Sequence, residues 1–352
     1  MAGLTVGRRV LITGLGTFWG GRVAQALEND PAVDLIVGLD TTTPAVKLER
    51  TEYVRADQSY SILSRIVKAT QVDTILHTSL AVDSTRMSGR ALHETNVIGT
   101  MNLVAAAGAP DSPVRQLVVK SSTLVYGASH RDPAWFREDM ARTSPAKTRV
   151  ERSLLEVESY LQDFADESPD VTVAILRFAN VLGTDIVTPI TKALSLPMVP
   201  AIFGFDPLLQ FVEEDDVVRS LEFAMRERLA GIYNVAGDGR LPWSEVAGVL
   251  GKRVVALPPF SPGMLLGPLA RLGVLELPDE VAALLRFGRG VDNTRLTQAG
   301  FAYRYTTSGA VESFSKGHRL RRVVPPTRPE YAYQRDVEAF FRHSPAVVRP
   351  TS

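Results

Sequence analysis

The sequence contains no cysteine among its 352 residues. Disulfide bonds, thiolate nucleophiles and cysteine-ligated metal sites are therefore excluded. The five histidines are scattered and never show the HxxxH spacing of a helical zinc site, so we expect no bound metal. The formal net charge is zero, which leaves no overall field to attract nucleic acid or an anionic membrane surface, and we expect neither partner.

The sequence also lacks a recognisable leader and a long uninterrupted apolar run. The N-terminus enters a strand-like stretch almost at once, without a charged and then apolar segment before a cleavage site, and from this we expect a cytoplasmic location. The longest apolar region, residues 257–278, is interrupted by several prolines and by Arg271. It is too broken to cross a bilayer, so we expect no membrane span.

The first half of the chain alternates between two hydrophobic periods. Short β-branched runs such as 9–13, 35–39 and 116–120 are separated by helical patterns such as 20–28 and 149–165. This alternation predicts right-handed crossovers and a parallel sheet, and strands that are apolar throughout indicate that helices cover both faces. We therefore predict an α/β fold, a Rossmann-type doubly wound parallel sheet with a smaller C-terminal substrate lobe.

A glycine-rich turn follows the first predicted strand, where residues 9–20 read RVLITGLGTFWG. Gly14 and Gly16 let the backbone turn tightly and approach a pyrophosphate, and Gly20 lets the next helix pack close to the sheet. The helix N-terminus then points its free N–H groups at the phosphates. The predicted phosphate-binding residues are Gly14, Gly16, Thr17, Phe18, Trp19 and Gly20.

The next predicted strand reads LIVGLD and ends at Asp40. A carboxylate at this position can accept both adenosine-ribose hydroxyls of a dinucleotide and repels a 2′-phosphate. No arginine follows directly, since TTTP comes next. The pattern favours NAD over NADP as the cofactor, and the alternative is that Asp40 only caps a turn.

The composition changes in the second half, where proline and glycine become frequent. We predict an NAD-binding domain over residues 1–180, to which residues 206–236 return. A smaller substrate lobe is predicted over 181–205 and 237–315. Residues 316–352 form a basic, proline-containing tail, and we expect a solvated surface extension there rather than a patch for an anionic ligand.

Several short motifs follow one another in an order that resembles the extended short-chain dehydrogenase/reductases, the NAD-dependent epimerase and dehydratase family. In chain order they are TGLGTFWG, VRADQ, LHTSL, ETNVIGT, SSTLVYG, LRFANVLG, FVEEDDVVRSL and GIYNVAG. They are most similar to a bacterial subgroup labelled UDP-glucose 4-epimerase-like. The resemblance implies a Rossmann fold and hydride transfer between NAD and a small-molecule substrate, a nucleotide sugar or a related hydroxyl or keto compound. Because family members often dimerise, it also implies a homodimer.

The same resemblance assigns further residues to the site. Ser122 stands where the family has a hydroxyl that orients the substrate oxygen, and Tyr126 lies nearby as a candidate proton donor. Asn180, in the LRFANVLG motif, is a candidate substrate contact. The further cofactor-binding residues implied are Asp57, Ser79, Asn96 and Phe178.

The family's catalytic tyrosine and lysine, spaced YxxxK, are missing from this sequence. Aligned on the following LEVE, Val150 and Leu154 occupy their positions; a shifted alignment gives Pro145 and Arg149 instead. Aliphatic side chains cannot exchange protons. Two hypotheses follow: an enzyme with a non-standard acid/base, for which Ser122 and Tyr126 are the catalytic candidates, or a catalytically silent NAD-binding sensor or scaffold.

The arginine with which epimerases commonly hold the diphosphate of the substrate is also missing. At that point residues 208–211 read LLQF. Arg286 and Arg289, in LLRFGRG, are candidates to bind a diphosphate instead. The alternative is that both are surface arginines near a helix end.

Overall fold

The computed structural model describes residues 7–83, 87–258, 278–321, 334–335 and 337–348. In chain order, the strands are β1 (Arg8–Thr13), β2 (Val33–Asp40), β3 (Glu52–Arg55), β4 (Thr74–His77), β5 (Gln116–Ser122), β6 (Thr172–Phe178), β7 (Asn180–Leu182), β8 (Met198–Ile202), β9 (Leu208–Leu209), β10 (Phe211–Glu213), β11 (Gly231–Val235), β12 (Leu241–Pro242), β13 (Arg253–Leu257) and β14 (Gln334–Arg335). The α-helices are α1 (Phe18–Leu27), α2 (Tyr60–Thr70), α3 (Gly89–His93), α4 (Gly99–Ala107), α5 (Arg149–Glu167), α6 (Pro189–Ser195), α7 (Glu214–Arg226), α8 (Trp243–Val249), α9 (Asp279–Phe287), α10 (Thr294–Gln298), α11 (Thr307–Arg321) and α12 (Val337–His343).

The first lobe is built on a parallel sheet that has eight strands among the described residues, in the order β11-β6-β5-β4-β1-β2-β3-β14. The chain moves outward from β1 to β2 and β3, and then resumes on the other side of β1 with β4, β5 and β6. In doubly wound sheets, ligands bind at such a reversal, outside the carboxyl ends of the strands. The predicted fold class is confirmed, and it places the candidate site between β1 and β4.

Helices cover both faces of this sheet. Along β1, Leu11 belongs to the hydrophobic cluster under α2, α4 and α5, whereas Val10 and Ile12 belong to the cluster under α1 and α7. This alternation explains why the strands are apolar at every position. Helix α7 and strand β11, within the segment 206–236, both lie in this first lobe.

Helix α5 forms where the sequence pattern predicts it. A capping box of Thr148 and Glu151 starts the helix, since each side chain accepts a backbone N–H of the other residue. The residues that face the sheet recur at helical spacing and are fully buried. They are Val150, Leu154, Val157 and Leu161.

The second lobe has a core of its own, formed by parts of the carboxyl-terminal half. Parallel strands β8 and β13 and the antiparallel pair β9–β12 pack with α6, α8, α9 and α11. The fully buried Trp243 is fixed by a hydrogen bond of 2.8 Å from its indole N–H to the Pro200 carbonyl. Most of the apolar region 257–278 lies outside the described residues. No helix that the structure describes is both long and apolar enough for a transmembrane segment.

The C-terminal segment differs from the solvated extension expected for it. Strand β14 lies parallel to β3, and α12 packs against the same edge of the sheet. Phe340 is fully buried in the cluster that contains residues of α2, and the guanidinium carbon of Arg65 lies 3.7 Å from the Phe341 ring centroid. The backbone N–H of Val348 donates to the Ala69 carbonyl at 2.7 Å. These long-range contacts cover part of the β3 edge, and the local sequence pattern does not reveal them.

We predict that Phe340→Ala destabilises the first lobe by about 3 kcal/mol, because it removes a fully buried ring and leaves a cavity. Urea unfolding followed by circular dichroism measures the change. Val348→Ala is the matched control, since this side chain is 55% exposed and the backbone hydrogen bond to Ala69 remains. Equal stabilities of the two variants would contradict the packed arrangement of the tail.

Candidate active site

The glycine-rich turn between β1 and α1 is closed by Thr17, which caps the helix. Its hydroxyl donates to the Gly14 carbonyl at 2.7 Å and accepts the Gly20 N–H at 3.1 Å. Gly14 has φ of +79°, and a Cβ there would lie 2.6 Å from the Ser79 backbone. A Cβ on Gly20 would collide with the Gly14 carbonyl. The first N–H groups of α1 have no acceptor within the helix, so the turn fits the diphosphate of a dinucleotide.

Asp40, at the end of β2, is held against this turn. Its carboxylate accepts the Gly16 N–H at 3.0 Å and both the N–H and the hydroxyl of Thr42, at 2.9 and 3.0 Å. The turn-capping contacts that were the alternative reading are therefore present. Recognition of the adenosine ribose by the same carboxylate stays a prediction.

Asp57 and Ser79 follow the ends of β3 and β4, at the same edge of the sheet as the turn. Asp57 is exposed and accepts the Ser59 N–H at 3.3 Å. The Ser79 hydroxyl lies 3.3 Å from both Gln58 Oε1 and His77 Nδ1. The structure thus brings both predicted residues to the candidate cofactor side.

His77 is fully buried and bridges two threonine hydroxyls, Thr13 at 2.7 Å and Thr100 at 3.1 Å. Burial, with the charge of Lys120 as a smaller cause, lowers the pKa of His77 to about 3. The ring is therefore neutral at physiological pH, and its contacts are those of a structural residue.

Asn96 fixes the loop that follows β4. Its amide oxygen accepts the Ala81 N–H at 2.8 Å, and its amide nitrogen donates to the Ala81 carbonyl at 2.9 Å and to the Ser153 hydroxyl at 3.1 Å. The residue lies in a π-helical turn, Glu94–Ile98, between α3 and α4. Such turns frequently occur at functional sites. Here the turn positions a buried amide that joins the loop to α5.

Ser122 and Phe178 lie opposite each other at the ends of β5 and β6. The Ser122 hydroxyl accepts the Leu124 N–H at 3.2 Å and caps the 3₁₀ turn Thr123–Tyr126. Phe178 is 2% exposed and packs in the cluster under α1. Among the described residues the Ser122 hydroxyl hydrogen has no acceptor, so a substrate oxygen at the carboxyl edge could accept it.

The structure argues against Tyr126 as a proton donor. The ring is 1% exposed and stacks on Phe136 with centroids 4.5 Å apart. Its hydroxyl accepts a hydrogen bond from Arg177 at 2.7 Å and donates one to Asn234 at 2.9 Å. Burial raises the pKa of Tyr126, against the opposing effect of Arg177. The catalytic assignment is therefore corrected to a structural one, because the hydroxyl is buried and engaged by Arg177 and Asn234.

Val150 and Leu154, the residues aligned with the family's tyrosine and lysine, point into the main core. Both are fully buried in the cluster between α5 and the sheet. Neither neighbouring residue supplies a replacement at this face, since Glu151 caps the helix and Ser153 is bonded to Asn96. The first turns of α5 therefore offer hydrocarbon where the family mechanism needs a proton donor.

A cavity of about 420 Å³ opens between the loop after β5 and the second lobe. Three arginines from two separate segments of the chain line it together with aromatic groups. The charged and aromatic lining residues are Arg240, Arg286, Arg289, His130, Phe205 and Phe287. Asn180 does not line it, since its amide donates to the Gln210 carbonyl at 3.2 Å on the β7 side. The predicted arginines thus share a pocket, and the predicted asparagine lies apart.

Arg289 connects this cavity to the end of β5. It is 8% exposed, and its Nη1 donates to the Gly127 carbonyl at 2.7 Å. Its backbone forms a bridge with Leu209, in the LLQF stretch where an epimerase would carry its diphosphate-binding arginine. Burial lowers the pKa of Arg289 to about 10, so the group remains cationic at neutral pH. Arg289 is therefore not a surface arginine.

Arg240 was not predicted from the sequence. It follows a glycine-containing turn after β11, and its guanidinium carbon lies 4.1 Å from the Trp135 ring centroid. It also donates to the Ala134 carbonyl at 2.5 Å. Nothing in the local sequence distinguishes it from other arginines, because the contact with Trp135 joins residues far apart in the chain.

The parallel sheet and the turn at its strand reversal define an α/β protein of the dinucleotide-binding, doubly wound class. A model of the NAD dependent epimerase/dehydratase family matches residues 10–236. The chain belongs to this family. The predicted family is thereby confirmed, and NAD as the cofactor is confirmed at the level of the family.

Relatives and solved structures agree with this membership. An uncharacterized protein of Mycobacterium tuberculosis strain H37Rv is 33% identical over 325 residues, which cover 91% of this chain and 86% of the relative. A UDP-glucuronic acid 4-epimerase from Bacillus cereus in complex with NAD superposes with a TM-score of 0.68 at 15% identity, over 89% of this chain and 99% of that one. A UDP-glucose 4-epimerase with UDP-glucose from Thermotoga maritima gives 0.66 at 17% identity, with the same coverages. At these identities the structural likeness shows the fold alone.

No cluster of three or more histidine, aspartate or glutamate side chains suited to a metal ion occurs in the described part of the chain.

We predict that Leu154→Lys destabilises the protein by about 3 kcal/mol or more, because it places an ammonium group without a carboxylate partner in the core. Leu154→Met is the matched control and is expected to cost less than about 1.5 kcal/mol. Urea unfolding compares the two. A lysine variant as stable as the methionine variant would show instead that this face of α5 opens to the site.

Proposed function

We propose that the protein transfers a hydride between bound NAD and a nucleotide sugar or a related hydroxyl or keto substrate, with an acid/base other than the family's tyrosine. One observation carries the proposal: the arginine-lined cavity is joined through Arg289 to Gly127, five residues after Ser122. An anionic substrate held there would extend toward the hydroxyl of Ser122 and the carboxyl edge of the sheet.

The cofactor would be held by the turn between β1 and α1. When bound, NAD supplies the hydride acceptor or donor. The N-terminus of α1 faces the diphosphate, Asp40 recognises the ribose of the adenosine half, and Asp57 lies beyond it for the adenine. Asn96 acts indirectly, since its amide holds the loop that follows β4.

The substrate diphosphate would be held by arginine. Guanidinium groups bind phosphates through paired hydrogen bonds. Arg289 lines the cavity and donates one N–H to the Gly127 carbonyl, and its other N–H groups could bind a phosphate. Arg240 and Arg286 complete the cationic wall. The exposed rings of Phe205 and Phe287 at the same cavity offer faces for a nucleobase.

The described site offers few groups that could transfer a proton. Ser122 can orient a substrate oxygen, but Val150 and Leu154 carry neither a phenol nor an ammonium group, and the Tyr126 hydroxyl is already engaged. Loss of general acid–base help typically slows an enzyme by about a hundred- to ten-thousandfold. We therefore expect slow turnover, and the same buried aliphatic pair favours the second candidate, a catalytically silent NAD-binding sensor or scaffold.

Two further proposals concern the setting of this protein. We propose a homodimer, supported by Ile98 and Met101, two large apolar side chains that are 41% and 38% exposed around the start of α4. We also propose a cytoplasmic location, for which the cysteine-free composition is the support.

We predict that NAD raises the melting temperature more than NADP does, because the Asp40 carboxylate repels a 2′-phosphate. Asp40→Asn should weaken NAD binding about tenfold or more and narrow the preference over NADP. Asp111→Asn, on the same lobe with a side chain 85% exposed, is the control. If Asp40→Asn bound both dinucleotides with unchanged affinity, this carboxylate would only cap the turn and would not recognise the ribose.

We predict that UDP- or dTDP-sugars bind the NAD-loaded protein and that Arg289→Met weakens this binding about tenfold or more, through loss of a charged hydrogen bond. NAD affinity should not change. Isothermal titration measures both, with Arg253→Met, an exposed arginine on β13, as control. Binding of the sugar nucleotide without any nicotinamide reduction would favour the silent sensor, and no binding at all would refute the substrate class.

A further inference from the structure

Strand β5 carries a lysine into the interior of the first lobe. Lys120 lies two residues before Ser122, opposite Leu176 of β6, and is only 3% exposed. Its Nζ is 5.8 Å from the ring centroid of Trp19 in the first turn of α1. The ammonium group therefore lies beneath the N-terminus of the helix that would face the cofactor diphosphate.

Within the described residues, Lys120 Nζ makes neither a hydrogen bond nor an ion pair. Burial lowers its pKa to about 8, and no nearby carboxylate acts to raise it. The charge of Lys120 helps to lower the pKa of His77 on β4, and the neutral His77 ring offers no counter-charge. A buried ammonium with only an aromatic face beside it is costly, so it would gain greatly from an anion brought by a ligand.

The anion closest to this position in the proposed function is the diphosphate of the dinucleotide. Trp19 is the second residue of α1 and belongs to the glycine-rich turn that Thr17 and Gly14 close. The ammonium under Trp19 and the free N–H groups of the helix N-terminus would then act on the same charge from two sides. Leu154 cannot contribute a cation from α5, so the positive charge would come from β5.

We propose that Lys120 is the charge partner of the cofactor diphosphate and that it binds NAD from the β5 side of the site. The inference rests on the proposed binding of NAD. It assigns the residue a binding role, whereas the alternatives are a purely structural contact with Trp19 and a role in accepting a proton from the substrate.

The test uses Lys120→Met, which keeps the length of the side chain and removes the charge. Dissociation constants for NAD, ADP-ribose and adenosine are measured by isothermal titration on the full-length protein. We expect the affinity for NAD and ADP-ribose to fall by about 10- to 100-fold, since both carry the diphosphate, and the affinity for adenosine to stay unchanged. Lys68→Met, on α2 with a side chain 50% exposed, is the control and should match the wild type.

The thermal stability of the ligand-free variants gives a second readout. Lys120→Met should be at least as stable as the wild type, because an apolar side chain replaces an uncompensated buried charge.

A variant that loses stability but binds NAD normally would show a structural role and overturn the proposal. Equal losses for adenosine and NAD would overturn it as well, because the diphosphate would not be the group recognised. Failure of the wild type to bind NAD would refute the proposed function itself, whereas normal binding by Lys120→Met refutes this inference alone.

Discussion

The buried ion pair between Glu158 and Arg177 holds together the elements under the candidate site. Arg177 on β6 donates to Glu158 on α5 at 2.6 Å and to the Tyr126 hydroxyl at 2.7 Å, and that hydroxyl donates to Asn234 on β11. Glu158 also accepts the Ser121 hydroxyl at 2.5 Å. Removing one member would leave an uncompensated charge, at a cost of about 3–5 kcal/mol. The positions of β5, β6, β11 and α5 relative to one another depend on this network.

This network also explains how the fold persists without the family's reactive pair. Glu158 lies two turns along α5 from Val150 and forms its contacts independently of that position. The aliphatic side chains of Val150 and Leu154 then complete the hydrocarbon layer that α5 presents to the sheet. Cofactor binding and substrate binding use other elements, namely the turn after β1 and the loop after β5. Binding and proton transfer are thus physically separable in this chain, and only the second has lost its usual residues.

The sequence alone predicted the features that local rules determine. The turn around Gly14, the carboxylate of Asp40 and the amphipathic face of α5 follow from backbone sterics, strand ends and helical periodicity. Contacts between distant segments were missed: the burial of Phe340 at the sheet edge, the stacking of Arg240 on Trp135, and the engagement of the Tyr126 hydroxyl. Each of these contacts joins residues that are 50 or more positions apart along the chain. A single sequence does not specify such tertiary contacts.

The chain has no net charge, yet besides the ion-paired Arg177 it buries Lys120 and Arg289 in the first lobe and at the cavity. Each is desolvated enough to lower its pKa, and both should remain largely protonated near neutral pH. Arg289 lines the cavity proposed for the substrate, and Lys120 lies under the helix proposed for the cofactor. A nucleotide sugar and a dinucleotide each carry one diphosphate. Arg289 would therefore bind the diphosphate of the substrate, and Lys120 that of the cofactor. Affinity for both ligands would then come from local charge placed in a low-dielectric site, where it acts far more strongly than an equal charge on the surface.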